Sequence, residues 1–294
     1  MRTLVAGWFS FEGMGATAGD LLSRDLACEW LRCAGHDVDV AHAAPFPGGV
    51  DWREVPPDGY ASVVFVCGPM GNGPPVDEFL ARFAGSRLIG LNLSMLDPLD
   101  AWNPFDLLIE RDSSARSRPD ISFAAPTAAV PVVGVILVHP QQEYSRALHA
   151  VAHEAIDGLL RSRDVAAIPI DTRLDENAGM LRSPAAVESA IAHMDAVITT
   201  RLHGMVLAIK NGVPALVIDP VAGGAKVIEQ ARAIGWSPAF TADSLDERTL
   251  SAALDYCLSS RGRTDAVACR ETAVAAVRDT RDQFIAAVAA KAEV

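Results

Sequence analysis

The segment from Ala196 to Asp219 reads Ala-Val-Ile-Thr-Thr-Arg-Leu-His-Gly-Met-Val-Leu-Ala-Ile-Lys-Asn-Gly-Val-Pro-Ala-Leu-Val-Ile-Asp. Its pattern is strand, tight turn, helix, glycine stop, strand. The turn sets Arg201, His203 and Gly204 at the carboxyl end of a strand and at the N-terminus of the next helix. Free backbone N–H groups and the helix dipole attract an anion there. A guanidinium grips a phosphate or carboxylate through two parallel hydrogen bonds. His203 can add a donor or move a proton near neutral pH. Gly204 would let a ligand approach the backbone. The alternative for the same residues is structural: an arginine paired with a buried aspartate and a histidine filling the core.

Other candidates are weaker. His149 and His153 stand four apart on an expected helix and share a face. They could ligate a metal, but no third ligand is apparent, so a solvated face is expected and no metal site is assigned. Gly13-Met-Gly-Ala-Thr-Ala-Gly19 is one residue too long for a dinucleotide fingerprint. No Gly-x-x-x-x-Gly-Lys-Ser/Thr and no Gly-x-Ser-x-Gly occurs, which removes a P-loop and an esterase elbow. Arg261, Arg263, Arg270, Arg278 and Arg281 alternate with acids and read as solvated helix faces.

The elements that would position these groups alternate between short apolar runs and helical stretches. Strands are expected at residues 3–6, 38–41, 62–67, 88–91 and 107–109, with helices at 19–34 and 76–83. Residues 111–127 have no period and read as a linker. The alternation then restarts, with strands at 132–138, 165–170, 196–199 and 215–218. Helices are expected there at 144–161, 184–193, 205–211 and 226–234, then along an alanine-rich tail from 245 to 291. Strand and helix in alternation imply parallel sheets with right-handed crossovers. The fold class is therefore α/β, as two doubly wound Rossmann-like domains, residues 1–125 and 126–294, with a ligand cleft between them at the carboxyl ends of the strands. His139 and Arg173 follow the first and second strands of the second domain, where a ligand would lie.

The Arg201-Leu202-His203-Gly204 turn followed by Gly212-Val213-Pro214 resembles the hallmark of the polysaccharide pyruvyltransferase family. Gly19-Asp20, the run from Glu110-Arg111-Asp112-Ser113-Ser114 to Pro119-Asp120, and Lys226 resemble further family positions in the same order. The resemblance spans residues 1–235 and implies a glycosyltransferase-B-like pair of Rossmann-like domains. It also implies a cytoplasmic, bacterial enzyme of polysaccharide biosynthesis that uses phosphoenolpyruvate as donor and needs no further cofactor. The first domain would hold a hydroxylated, sugar-like acceptor and the second the donor. Arg201, Leu202, His203, Gly204 and Lys226 then bind the donor, with Arg111 a further substrate-binding candidate; His139 and Arg173 are candidates from position alone, and could instead be solvated loop residues. His203, Arg201, Asp20 and Asp112 are the candidates for catalysis, with Glu110 a further carboxylate. Asp112 and Arg111 could instead pair with each other. The family's glycine-rich stretch after the third strand is here Cys67-Gly68-Pro69-Met70-Gly71-Asn72-Gly73. The first loop carries Trp8, Phe9 and Phe11, which suit stacking on a ring or a packed loop core.

Composition narrows the remaining classes. The chain has 294 residues, half of them hydrophobic, so a large core is expected. Twenty-five basic against 37 acidic residues give a net charge of −12, which disfavours nucleic acid and anionic membranes as partners. No apolar run is long enough to span a membrane. Five cysteines without a Cys-x-x-Cys fit a reducing compartment. A homo-oligomer is compatible with the sequence. Two rival readings remain: a nucleotide-sugar glycosyltransferase, with Asp219 or Glu229 as the ribose carboxylate, and a member without catalysis that only binds a metabolite.

Overall fold

The computed structural model describes residues 1–138, 146–175, 177 and 179–290. The chain divides into two compact units, Met1–Ala128 and Ala129–Val294. The boundary lies three residues beyond the expected one at 125.

The first unit runs β1 (Arg2–Ala6), α1 (Ala18–Cys33), β2 (Asp37–Val40), β3 (Ser62–Met70), α2 (Val76–Arg82), β4 (Arg87–Met95) and β5 (Leu107–Ile109). Its strands form one parallel sheet in the order β2-β1-β3-β4-β5. Val63 to Val66 are buried along the whole run, as a strand covered on both faces requires. α1 begins at Thr17, whose hydroxyl accepts from the Asp20 amide while Asp20 accepts from the Thr17 amide.

The second unit runs β6 (Val132–Ile136), α3 (His149–Arg161), β7 (Ala166–Pro169), α4 (Pro184–Ala192), β8 (Ala196–Thr199), α5 (Leu202–Lys210), β9 (Ala215–Asp219), α6 (Lys226–Ala233), β10 (Ala239–Thr241), α7 (Glu247–Cys257) and α8 (Ser260–Ala290). Ser183 caps α4 with Pro184 at its first position. The parallel order is β10-β9-β8-β6-β7. Counted within its own unit, each sheet has the order 2-1-3-4-5. This is the doubly wound arrangement whose chain reverses direction between the first and third strands. The sheets thus share a topology that no sequence repeat announces.

Several expectations are corrected. Residues 111–127 are no linker: Asp112 bridges to Ser94 and Ser117, the Arg118 amide bonds the Arg111 carbonyl, and a short 3-10 turn covers Ile121–Ala124. The strand at Ala239–Thr241 was not expected. Phe9 and Phe11 are core residues, with Phe11 stacked on Phe65, and the Trp8 indole donates to the Pro69 carbonyl. The aromatic loop is therefore packed inward, not held open for a sugar ring. Among the described residues, no helix is long and apolar enough to cross a membrane.

Candidate functional site

In the second unit the reversal point lies between β6 and β8, where the connections leave toward opposite faces of the sheet. Two threonines close the ends of these strands. Thr199 Oγ1 donates to the Ile136 carbonyl at 2.9 Å and accepts from the Arg201 amide at 2.9 Å. Thr200 Oγ1 accepts from the Val138 amide at 2.8 Å. Both are buried, so the backbone that carries Arg201 is fixed by bonds shielded from water.

Arg201 occupies the N-cap of α5 in an extended conformation, and no side chain caps that helix. The amides of its first turn therefore face outward as donors. Gly204 is buried, and a Cβ there would meet Thr199 and lie 2.9 Å from Ile136 Cγ2. Its missing side chain serves the close packing of α5 on β6 and β8. The approach of a ligand to the backbone at Gly204 is thus not what the glycine provides.

Arg201 Nη1 donates to Asp171 Oδ1 at 3.2 Å, across the ends of β8 and β7. Its Nε and Nη2 make no hydrogen bond among the described residues. The structural alternative for Arg201 was pairing with a buried aspartate; Asp171 is only partly buried, and it holds the guanidinium while leaving donors over. His203, in the first turn of α5, is exposed. Arg201, Leu202 and His203 line a pocket of about 270 Å³ with His149, Asp219 and Lys226 among its other walls. Arg201 and His203 also line a second hollow of about 190 Å³, beside Thr172, Leu174 and Glu188.

Asp219 is fully buried, and its carboxylate accepts from the amides of Val221, Ala225, Val227 and Ile228 at 2.8 to 3.2 Å. It caps α6 and shapes the loop before it. Glu229 is exposed and pairs with Arg232 at 2.6 Å. Neither is placed as the ribose carboxylate that a nucleotide-sugar site would want.

Of the other expected site residues, His139 lies outside the described residues. Arg173 pairs with Asp175 through Nε and Nη2 at 3.2 and 3.1 Å and is not among the described residues lining the pocket. Arg111, Asp112 and Asp20 belong to the first unit. Arg111 donates to Asp112 and Asp120 in its own segment and to Ser94 on β4, so all three of its nitrogens are engaged within the first unit, in line with the expected alternative that it pairs with Asp112. Asp112 accepts from Ser94 Oγ at 2.7 Å and from Arg111, and its side chain is about half exposed. Asp20 is buried, and its carboxylate takes the amide and hydroxyl of Thr17.

Two features of the first unit had no signal in the sequence. Cys67 and Asn92 both adopt positive φ, 63° and 58°, at neighbouring strands. Asn92 Nδ2 donates to Cys67 Sγ at 3.6 Å, and its Oδ1 accepts from the Ile121 amide. Burial pushes the Cys67 thiol up in pKa, so it stays protonated and unreactive. Backbone of this kind is uncommon away from glycine and collects at functional positions.

Comparison with known proteins bears on the second unit. Residues 131–220 match the family model described as polysaccharide pyruvyl transferase. That segment is similar to polysaccharide pyruvyl transferases. It contains the Arg201-Leu202-His203-Gly204 turn, Gly212-Val213-Pro214, both threonines and Asp171, and it stops before Lys226. The chain is accordingly a transferase. No curated protein matches it. Among solved structures, a glycotransferase of kitacinnamycin aligns at 11% identity over 93% of this chain and 94% of its own, with a TM-score of 0.34. The glycosyltransferase SnogD from Streptomyces nogalater aligns at 17% identity over 92% and 95%, with a TM-score of 0.31. Neither alignment bears on the activity.

Proposed function

We propose that this transferase moves a pyruvyl group from phosphoenolpyruvate to a hydroxylated, sugar-like acceptor and releases phosphate. The observation that carries the reading is that the pyruvyl transferase segment coincides with the cationic pocket around Arg201. A donor with a carboxylate and a phosphate needs several positive groups together. Arg201, Lys226 and the outward amides of α5 supply them in one place.

The chemistry follows from the donor. A proton is added to the methylene carbon, and the acceptor oxygen bonds to the central carbon while its own proton leaves to a base. The tetrahedral intermediate then either expels phosphate and loses the methyl proton, giving an enol ether, or has its phosphate displaced by a second acceptor hydroxyl, giving a ketal. In both routes phosphate leaves with the electrons of the bond it held. We assign Arg201 to hold that leaving charge. We assign His203, exposed at the pocket, to move a proton. In the first unit, half-exposed Asp112 is open to an acceptor, whereas Asp20 is engaged by its own helix. The unpaired cysteines suit a bacterial cytoplasm.

The test is thermal shift and calorimetry with phosphoenolpyruvate, set beside UDP, GDP and UDP-sugars, on the wild type and Arg201→Ala. Phosphoenolpyruvate alone should raise the melting temperature of the wild type by mass action, and the rise should vanish in the variant. Stabilisation by a nucleotide in its place would overturn the donor.

A further inference from the structure

The pocket holds a second imidazole to which the reading above gives no part. His149 is the first residue of α3, a helix that no side chain caps. It lines the pocket that Arg201 and His203 also line. α3 and α5 leave the reversal point on opposite faces of the sheet, so the two imidazoles reach the pocket from opposite sides.

His149 was expected on a solvated face, and the structure corrects this. Both of its ring nitrogens are buried and make no hydrogen bond among the described residues. Nε2 of His153, one turn on, is in the same state, with the two rings 6.4 Å apart. Burial, and then the neighbouring His153, lower the pKa of His149 and keep it neutral. A neutral imidazole carries one N–H to give and one bare nitrogen to accept. Leaving both unpaired costs stability that a leucine or phenylalanine at the same place would not cost. The cost disappears if a ligand in the pocket supplies the partner. A neutral ring also adds no repulsion to Arg201 and Lys226 while the pocket is empty.

We propose that His149 is a further binding residue of this pocket, donating its ring N–H to the phosphoryl oxygens of the donor from the side opposite His203. The identity of the donor rests on the function proposed above. The role of His149 toward a phosphoryl group does not.

The experiment is calorimetric titration of phosphoenolpyruvate, inorganic phosphate and UDP into the wild type, His149→Phe, His149→Asn and Arg201→Ala, with melting temperatures taken without ligand. His149→Phe should weaken phosphoenolpyruvate and phosphate at least tenfold while its melting temperature holds or rises. His149→Asn, which keeps an N–H, should lose less. Unchanged dissociation constants in His149→Phe overturn the proposal and leave the pyruvyl reading standing. A wild type that binds none of the three ligands overturns it as well. If the wild type binds UDP and not phosphoenolpyruvate, and His149→Phe weakens UDP tenfold, the role of His149 stands and the donor assignment falls. Should His149→Phe melt early, His149→Leu, which also lacks a donor, is titrated in its place, and an unchanged dissociation constant in it decides against the proposal.

Discussion

Asp171 accepts a 3.2 Å hydrogen bond from Nη1 of Arg201, while Nε and Nη2 make no hydrogen bond among the described residues. The carboxylate at the end of β7 thus sets the direction of the cation at the end of β8. Asp171→Asn keeps an acceptor but loses the charge. It should raise KM for the donor about fivefold with kcat within a few-fold, since a charge-assisted bond exceeds a neutral one by roughly 1 kcal/mol. Arg201→Ala should abolish donor binding at accessible concentrations. Steady-state kinetics separate the two, because a positioning residue moves KM while loss of the cation removes turnover.

Gly204→Ala tests how closely α5 lies on the sheet. The added methyl would meet Thr199 and Ile136, both buried. Overpacking of this kind costs about 1–3 kcal/mol. Denaturant unfolding should show that loss, and because the nearest clash is with the Thr199 hydroxyl, Thr199→Ser, which keeps that oxygen, should not recover it in the double variant.

Asp219→Ala would leave four backbone donors without their acceptor. A buried donor left unpaired costs about 1–3 kcal/mol. The variant should be the least stable single substitution among these, and the α6 amides should lose hydrogen-exchange protection first. A stability equal to wild type would show that water replaces the carboxylate.

Acid stability should depend on Asp120. Burial alone would raise its pKa, but hydrogen bonds from Arg111, from Ser122 and from Asn92 outweigh this and bring it down to about 2. Its ordinary value is near 4. A carboxylate lowered on folding contributes stability that is full above the unfolded value and is lost as pH falls through the folded one. The contribution of Asp120 should therefore fade between about pH 4 and pH 2. Asp120→Asn should unfold more readily at pH 6, and the gap to wild type should close by pH 2. A gap that persists at pH 2 would mean the bonds matter without the charge.

The parallel sheets were legible because a strand covered on both faces must be apolar throughout, as Val63 to Val66 and Ala215 to Ile218 are. β10 escaped because three half-buried residues make too short a run. β3 and β4 extend past their expected ends because Gly68, Asn92 and Ser94 read as turn residues. α5 starts three residues earlier than expected, since Gly204 looks like a turn until its contact with Thr199 is seen. Arg201 and His203 were readable from their place after a strand. Asp171, thirty residues away, was not, because nothing local marks a partner brought in by the sheet. The bond from Arg111 to Ser94 was not legible for the same reason, since β4 brings that hydroxyl in from seventeen residues away.

The last helix has a consequence of its own. α8 runs from Ser260 to Ala290, about 46 Å at 1.5 Å per residue. Ala266 and Cys269 are buried, whereas Val274, Val277, Phe284 and Ile285 are exposed. Only the first third of this rod is seated in the second unit's core. Beyond it the helix rests on its own backbone bonds, which a run of alanines can sustain but not lock. Heat or a protease should therefore shorten the chain from this end, peeling α8 back toward Cys269 while the sheet and its pocket stay whole.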